Sequence, residues 1–180
     1  MTSRAVRPCR LPPSFFARDA TDVAPQLLHK LLRVDTAAGS VDVRILEVEA
    51  YTQDDPASHS FRGPTARTAS MFGPPGRLYI YLVYGMHHCM NIVTGREGDG
   101  QAVLVRRVLV PGVARHRTDG PGKLTRELGV DRSSDGAQAR VIDDAAPVPV
   151  AMATPRIGIT KAVDWPRRWL APWPSVTPGG

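Results

Sequence analysis

Two carboxylates and a ring alternate with apolar residues along RILEVEAY: Glu47, Glu49 and Tyr51 take the odd positions, Leu46, Val48 and Ala50 the even ones. Successive side chains of a strand point to opposite faces, so one face here enters a core and the other presents acid and ring together. Taken alone, such a face is most often a solvated surface with a routine glutamate pair. The rest of the chain shifts that balance. In LYIYLVYGMHHCMNI, Tyr79 and Tyr81 share a strand face, whereas Tyr84 falls on the other parity, immediately before Gly85, where a hairpin turns. A glutamate beside aromatic rings sits in a low-dielectric pocket and can serve as a general base toward water or a leaving group. Rings at Tyr51, Tyr81 and His59 can sandwich a flat substrate.

A base inside a DNA duplex would be such a substrate, provided it is first extruded. Extrusion costs a few kcal/mol of unstacking, and a side chain wedged into the vacated space stabilises the open state. Tyr84, at a rigid turn, fits that wedge; the plainer alternative is that it packs beside a tight turn.

These residues need a frame. DATDVAPQLLHKLLRVD predicts a helix over 19–35, capped by Thr21 or Asp22, with Ala24, Leu27, Leu28, Leu31 and Leu32 as its apolar stripe. A strand follows over 41–52, then a long loop with one helical turn near Thr65 to Met71, then hairpin strands at 77–84 and 87–94. GREGDG turns the chain into the strand AVLVRRVLV, and GPGKLTRELGV predicts a short helix with Pro121 at its start and Gly129 as its stop. The tail from Val148 reads as irregular. Strands joined by hairpins predict an α+β fold, a mixed, largely antiparallel sheet with peripheral helices and a protruding β-hairpin. Residues 1–180 are expected to form a single domain, with 1–14 and 174–180 as loose termini.

Composition bounds the partners. The 180 residues are 42% hydrophobic and carry a formal charge of +6, and lysine occurs only at 30, 123 and 161, so arginine supplies most of the positive charge. Arginine's planar fork suits phosphate and base edges, which favours a polyanionic partner. No stretch approaches the roughly 18 apolar residues of a membrane span, and the first residues do not read as a signal peptide. The expectation is a soluble intracellular protein, cytoplasmic or nucleoid-associated, or nuclear in a eukaryote. Cys9 and Cys89 suggest no disulfide framework and read as reduced packing residues. His29 and His116 read as surface or packing residues, and neither a metal site nor a cofactor fingerprint is expected.

EVEAY, ASHSFRGPTAR, MFGPPGRLYIYLVYGMHHCMNIV, VLVRR, GPGKL and PRIGI, in this order, resemble the alkyladenine (3-methyladenine or methylpurine) DNA glycosylase family over roughly Phe15 to Trp173. The resemblance implies a monofunctional base-excision enzyme that hydrolyses the N-glycosidic bond of alkylated or deaminated purines such as 3-methyladenine, 7-methylguanine or hypoxanthine. It implies double-stranded DNA containing damaged purines as the partner of a monomer, without a cofactor. Carried over residue by residue, it makes Glu49 the activator of the attacking water and Arg106 the arginine that helps hold that water. Tyr51, His59 and Tyr81 stack around the base, and Asn91 disfavours the exocyclic amine of guanine. Tyr84 intercalates, with Met86 and His87 beside it in the minor groove. Glu47 receives no catalytic role from the resemblance.

Arg62, Thr65 and Arg67, in the loop before the hairpin, and Lys123, at a helix start, are candidate contacts to the DNA backbone, with ordinary solvated side chains as the alternative. Contacts of that kind would make affinity fall steeply with salt. The chain departs from a vertebrate member in two places: the loop between Tyr51 and His59 is about one residue shorter, and His87 stands where that member has a tyrosine. Two rival readings remain at this point, a module that binds damaged bases without cutting and a hydrolase of free nucleosides.

Overall fold

A computed structural model describes residues 7–173. Its frame is a sheet of eight strands in the order β1-β7-β2-β3-β6-β5-β4, with β8 alongside the second half of β3. The strands are β1 (Cys9–Arg10), β2 (Leu31–Thr36), β3 (Gly39–Tyr51), β4 (Leu78–Val83), β5 (His87–Thr94), β6 (Gln101–Leu109), β7 (Arg140–Asp143) and β8 (Arg168–Leu170). Every pairing between them is antiparallel. Three short helices flank the sheet: α1 (Pro13–Phe16), α2 (Ala20–Leu27) and α3 (Pro121–Leu128). The architecture is the expected α+β one, with a single 3₁₀ turn at Ala69–Phe72 interrupting the long loop. Among the described residues, no helix is long and apolar enough to cross a membrane.

The two faces of the central strands do different work. Leu46, Val48 and Ala50 of β3, Ile80 of β4, Met90 and Ile92 of β5, and Val103 and Val105 of β6 all enter the main core beneath α2 and α3. The alternate positions form the opposite face, where Met71, Tyr79, Val93 and Ala102 make a smaller cluster against Tyr51, Phe72 and Tyr81. Period-two alternation thus sorts the aliphatic side chains to one side and the chemistry to the other.

The expected helix over 19–35 is half as long as that. It spans Ala20–Leu27, is capped by Asp19 rather than Thr21 or Asp22, and stops where Leu28 turns extended and His29 adopts φ 62°. Leu31, Leu32, Arg33 and Val34 instead pair with β3 on one side, and the first three also with β7 on the other. The doublets LL and LL fit a helical stripe, but Leu32 and Val34 in the core with Arg33 and Asp35 outside is a period of two, and the ladder partners decide between them. Within the stretch expected to be loose, Cys9 and Arg10 pair with β7. Residues 1–6 and the terminus from 174 lie outside the described residues. Cys9 is exposed rather than packed, and Cys89 is buried.

Candidate active site

Glu49 lies on β3 with none of its surface exposed. The carboxylate is held by three donors: the Tyr51 hydroxyl and Arg106 Nη1 reach Oε2 at 2.9 and 3.2 Å, and the backbone N–H of Ile157 reaches Oε1 at 2.9 Å. A carboxylate offers about four lone-pair sites, so one remains for a further donor. The plainer alternative of a solvated glutamate face does not hold, because β8 pairs with Glu47, Val48 and Glu49 and the preceding segment folds over it. Burial of Glu47 is balanced by three guanidinium groups: Arg106 Nε at 3.2 Å, Arg107 Nη2 at 3.1 Å and Arg168 Nη1 at 3.0 Å. Charges out of water persist only when paired and hydrogen-bonded, and these are.

A bulge makes this network possible. The β3–β6 register pairs Ile45 with Val108, Glu47 with Arg107 and Val48 with Val105, two offsetting shifts that leave Leu46 on β3 and Arg106 on β6 each without a ladder partner. Neighbours on a regular strand point to opposite faces, whereas the bulge lets Arg106 and Arg107 converge on Glu47. Arg106 then bridges the two carboxylates.

In front of these groups opens a cleft of about 630 Å³, lined by Tyr51, His59, Tyr79, Tyr81, Asn91 and Arg106 among others. His59 meets Tyr81 edge-on, centroids 4.4 Å apart, and its Nδ1 lies 3.0 Å from the Tyr79 hydroxyl. The surrounding protein, and then the positive charge of Arg67, hold the His59 imidazole below its ordinary range, so the ring facing the cleft is neutral at neutral pH. Burial, and secondarily the charge of Glu49, pushes the Tyr51 phenol up, which keeps it a proton donor to Glu49. Burial likewise lifts Tyr79 to about 12 and raises Tyr81 and the Cys89 thiol, so this wall is uncharged. Asn91 Nδ2 donates to the Tyr79 carbonyl at 3.0 Å, which fixes its amide in the wall.

At the cleft mouth, β4 and β5 are joined by a turn closed by Met86 N–H to the Val83 carbonyl at 3.1 Å, with Tyr84 at φ 52° and Gly85 at φ 67°. Positive φ at both central residues marks a type I′ turn, where asparagine and glycine are the favoured pair. A tyrosine held left-handed costs about 1–2 kcal/mol. Its ring gains nothing from the fold in return, since Tyr84 is 89% exposed and Met86 73%. Tyr84 nevertheless lines the same cleft as Tyr51 and His59. His87, the first residue of β5 beyond the turn, explains a glycine elsewhere: a Cβ on Gly122 would lie 2.9 Å from the His87 Cβ, so GPGKL lets α3 abut the hairpin.

Of the expected backbone contacts, Arg67 alone lines the cleft, and it donates to the Leu82 carbonyl at 3.0 Å. Arg62 and Lys123 are exposed, and the Thr65 hydroxyl pairs with that of Thr68 at 3.0 Å, inside its own loop. Sequence reasoning left out three contributors: Tyr79, which holds His59; the loop from Ile157 to Lys161, which closes the cleft opposite the hairpin; and Asp55 with Arg156 behind Tyr51. Only PRIGI, present as a motif without an assigned role, signalled the second and third.

The methylpurine-DNA glycosylase family model matches residues 14–173, spanning the strand of Glu49, the hairpin of Tyr84 and the closing loop. The chain belongs to this family. It is a DNA glycosylase by that membership, a class of hydrolase acting on N-glycosyl bonds. Relatives named "Putative 3-methyladenine DNA glycosylase" include one from Burkholderia lata, 44% identical over 185 residues, covering 90% of this chain and 87% of the relative. One from Methanoculleus marisnigri is 45% identical over 184 residues, covering 88% and 93%. One from Streptomyces avermitilis is 43% identical over 155 residues, covering 78% and 72%.

Proposed function

We propose that this glycosylase, acting as a monomer, removes alkylated or deaminated purines of the 3-methyladenine, 7-methylguanine and hypoxanthine type from duplex DNA. The base swings into the aromatic cleft and Tyr84 fills its place in the stack. One observation carries the reading: the strained, exposed Tyr84 lines the same cleft as Tyr51, Arg106 and Ile157, the three residues whose donors hold the fully buried Glu49 carboxylate just behind the cleft wall. Glu49 accepts a proton from water through its remaining lone-pair site and faces the sugar as it becomes oxocarbenium-like, while Arg106 fixes the carboxylate. An N3- or N7-alkylated purine is already cationic and leaves readily, so flipping it and aiming water is most of the task. Hypoxanthine is neutral and relies on stacking among Tyr51, His59 and Tyr81 for its selection. Asn91, whose amide donates to the Tyr79 carbonyl, disfavours the exocyclic amine of guanine. Met86 and His87 accompany Tyr84 in the minor groove, and Arg62, Thr65, Arg67 and Lys123 contact the DNA backbone.

The test is to incubate the chain with a duplex carrying one hypoxanthine and, separately, with free inosine. Base released from the duplex alone is the expected result. Release from inosine alone would make it a nucleoside hydrolase, and tight duplex binding without release a recognition module.

A further inference from the structure

Tyr51 has two faces, and only one belongs to the cleft. Against the other lies the Arg156 guanidinium, its Cζ 4.6 Å from the ring centroid. The Arg156 side chain is fully buried and is held in this pose by an equally buried partner, Asp55, which it grips with both terminal nitrogens. Arg156 Nη1 also donates to the Ala50 carbonyl at 3.1 Å, while its Nε is buried without a partner among the described residues. A second guanidinium, Arg167, stands 3.5 Å from the Asp55 carboxylate. The Asp55 carboxylate therefore serves two cations behind Tyr51. Arg156 does not reach the cleft, whereas Tyr51 lines it.

A buried ion pair is weak evidence for stability, because an apolar replacement is often as good or better. A guanidinium pressed on the rear of a substrate-stacking ring has a second consequence. A cation is drawn to a tyrosine face by the ring quadrupole, and a cation already seated on one face draws on the same electrons. Two cations on opposite faces of a ring also repel each other through a medium of low dielectric. We propose that Arg156, positioned by Asp55, is a specificity-determining residue: it makes the Tyr51 wall less attractive to cationic purines and so favours neutral flat bases. The inference rests on the reading that the open face of Tyr51 receives the extruded base.

The experiment compares single-turnover release of cationic 7-methylguanine and of neutral hypoxanthine from otherwise identical duplexes, and takes the ratio of the two rates. The double variant Asp55→Asn with Arg156→Gln removes both charges while keeping polar side chains of similar size. Its ratio should move about three-fold toward the cationic lesion, the size of a modest cation–π difference. Arg167→Gln, at a partly exposed site that the fold tolerates more readily, should move it the same way by less, and Arg156→Lys, which keeps the charge, should leave it near the wild-type value. A merely structural role would lower both rates together, so an unchanged ratio in the charge-removing variants overturns the inference. If the double variant does not fold, Arg167→Gln alone decides. A wild-type chain that releases neither base would overturn the proposed function and this inference with it, whereas a constant ratio overturns the inference alone.

Discussion

The floor of the cleft and the tip of the hairpin are built on opposite terms. On the floor, Glu47, Glu49, Arg106, Arg107 and Arg168 are tied to one another from three strands, and each carboxylate is satisfied by donors from within the chain. At the tip, Tyr84 and Met86 stand in solvent, Tyr84 in a left-handed turn position that a tyrosine disfavours. The floor is preorganised, so that little has to rearrange when charge develops on the sugar. The tip is left open to solvent, and in the proposed function the DNA duplex is what it meets. Arg106 and Tyr51, which hold the Glu49 carboxylate, line the same cleft as Tyr84, which is the arrangement an enzyme needs if it must hold an intruding ring and a reacting bond at once.

The largest break in this contrast comes from the floor. Arg106→Gln leaves two buried carboxylates without the guanidinium that separates them, and turnover should fall about 100-fold, as for loss of a preorganised donor. Stability should fall with it, by about 3–5 kcal/mol in urea unfolding, the cost of breaking a buried ion pair. A variant as stable as wild type would show that the network is not rigid.

At the tip the two effects take opposite signs. Tyr84→Asn suits the left-handed turn and should raise Tm by about 2–4 °C, the equivalent of roughly 1 kcal/mol for a chain of this size. Excision from an intact duplex should fall about tenfold, since losing ~1.4 kcal/mol of support for the open state is a factor of ten. A smaller loss is expected where the lesion is already unpaired. A variant that gains stability and keeps full duplex activity would return Tyr84 to the role of a turn residue.

The smallest effect sharpens the comparison through pH. The His59 pKa is lowered from its ordinary 6.5, so as pH falls through that value the unfolded chain takes up the proton first. Stability contributed by neutral His59 is present above that pH, declines below it and levels off beneath the folded-state pKa. Thermal unfolding across this window should therefore show a shallower slope for His59→Gln than for wild type; identical slopes would remove His59 from the account.

The sequence made part of this contrast readable. The alternation in EVEAY separates acid from core because a strand has a period of two, and the parity break at Tyr84 sets its ring apart from Tyr79 and Tyr81 for the same reason. What covers Glu47 and Glu49 was not readable, because it is β8 and the segment before it, more than a hundred residues along the chain. Asp55 and Arg156 meet across a similar gap, and no local pattern announces a pair of that kind. The adjacent arginines in VLVRRVLV were a usable signal, since two like charges in succession break strand alternation and mark the bulge. The overlong helix over 19–35 came from leucine doublets that satisfy both periods, a choice settled by the ladder on either side.

The central claim is that the buried carboxylate activates water against a base lodged in the cleft. Glu49→Gln tests it most directly, because the amide keeps the shape and loses the proton acceptor. Single-turnover release of hypoxanthine from a duplex should fall by a factor of about 10²–10⁴, the usual contribution of a general base, while binding to the same duplex stays within a few-fold of wild type. Excision by the Gln variant at the wild-type rate would contradict the account.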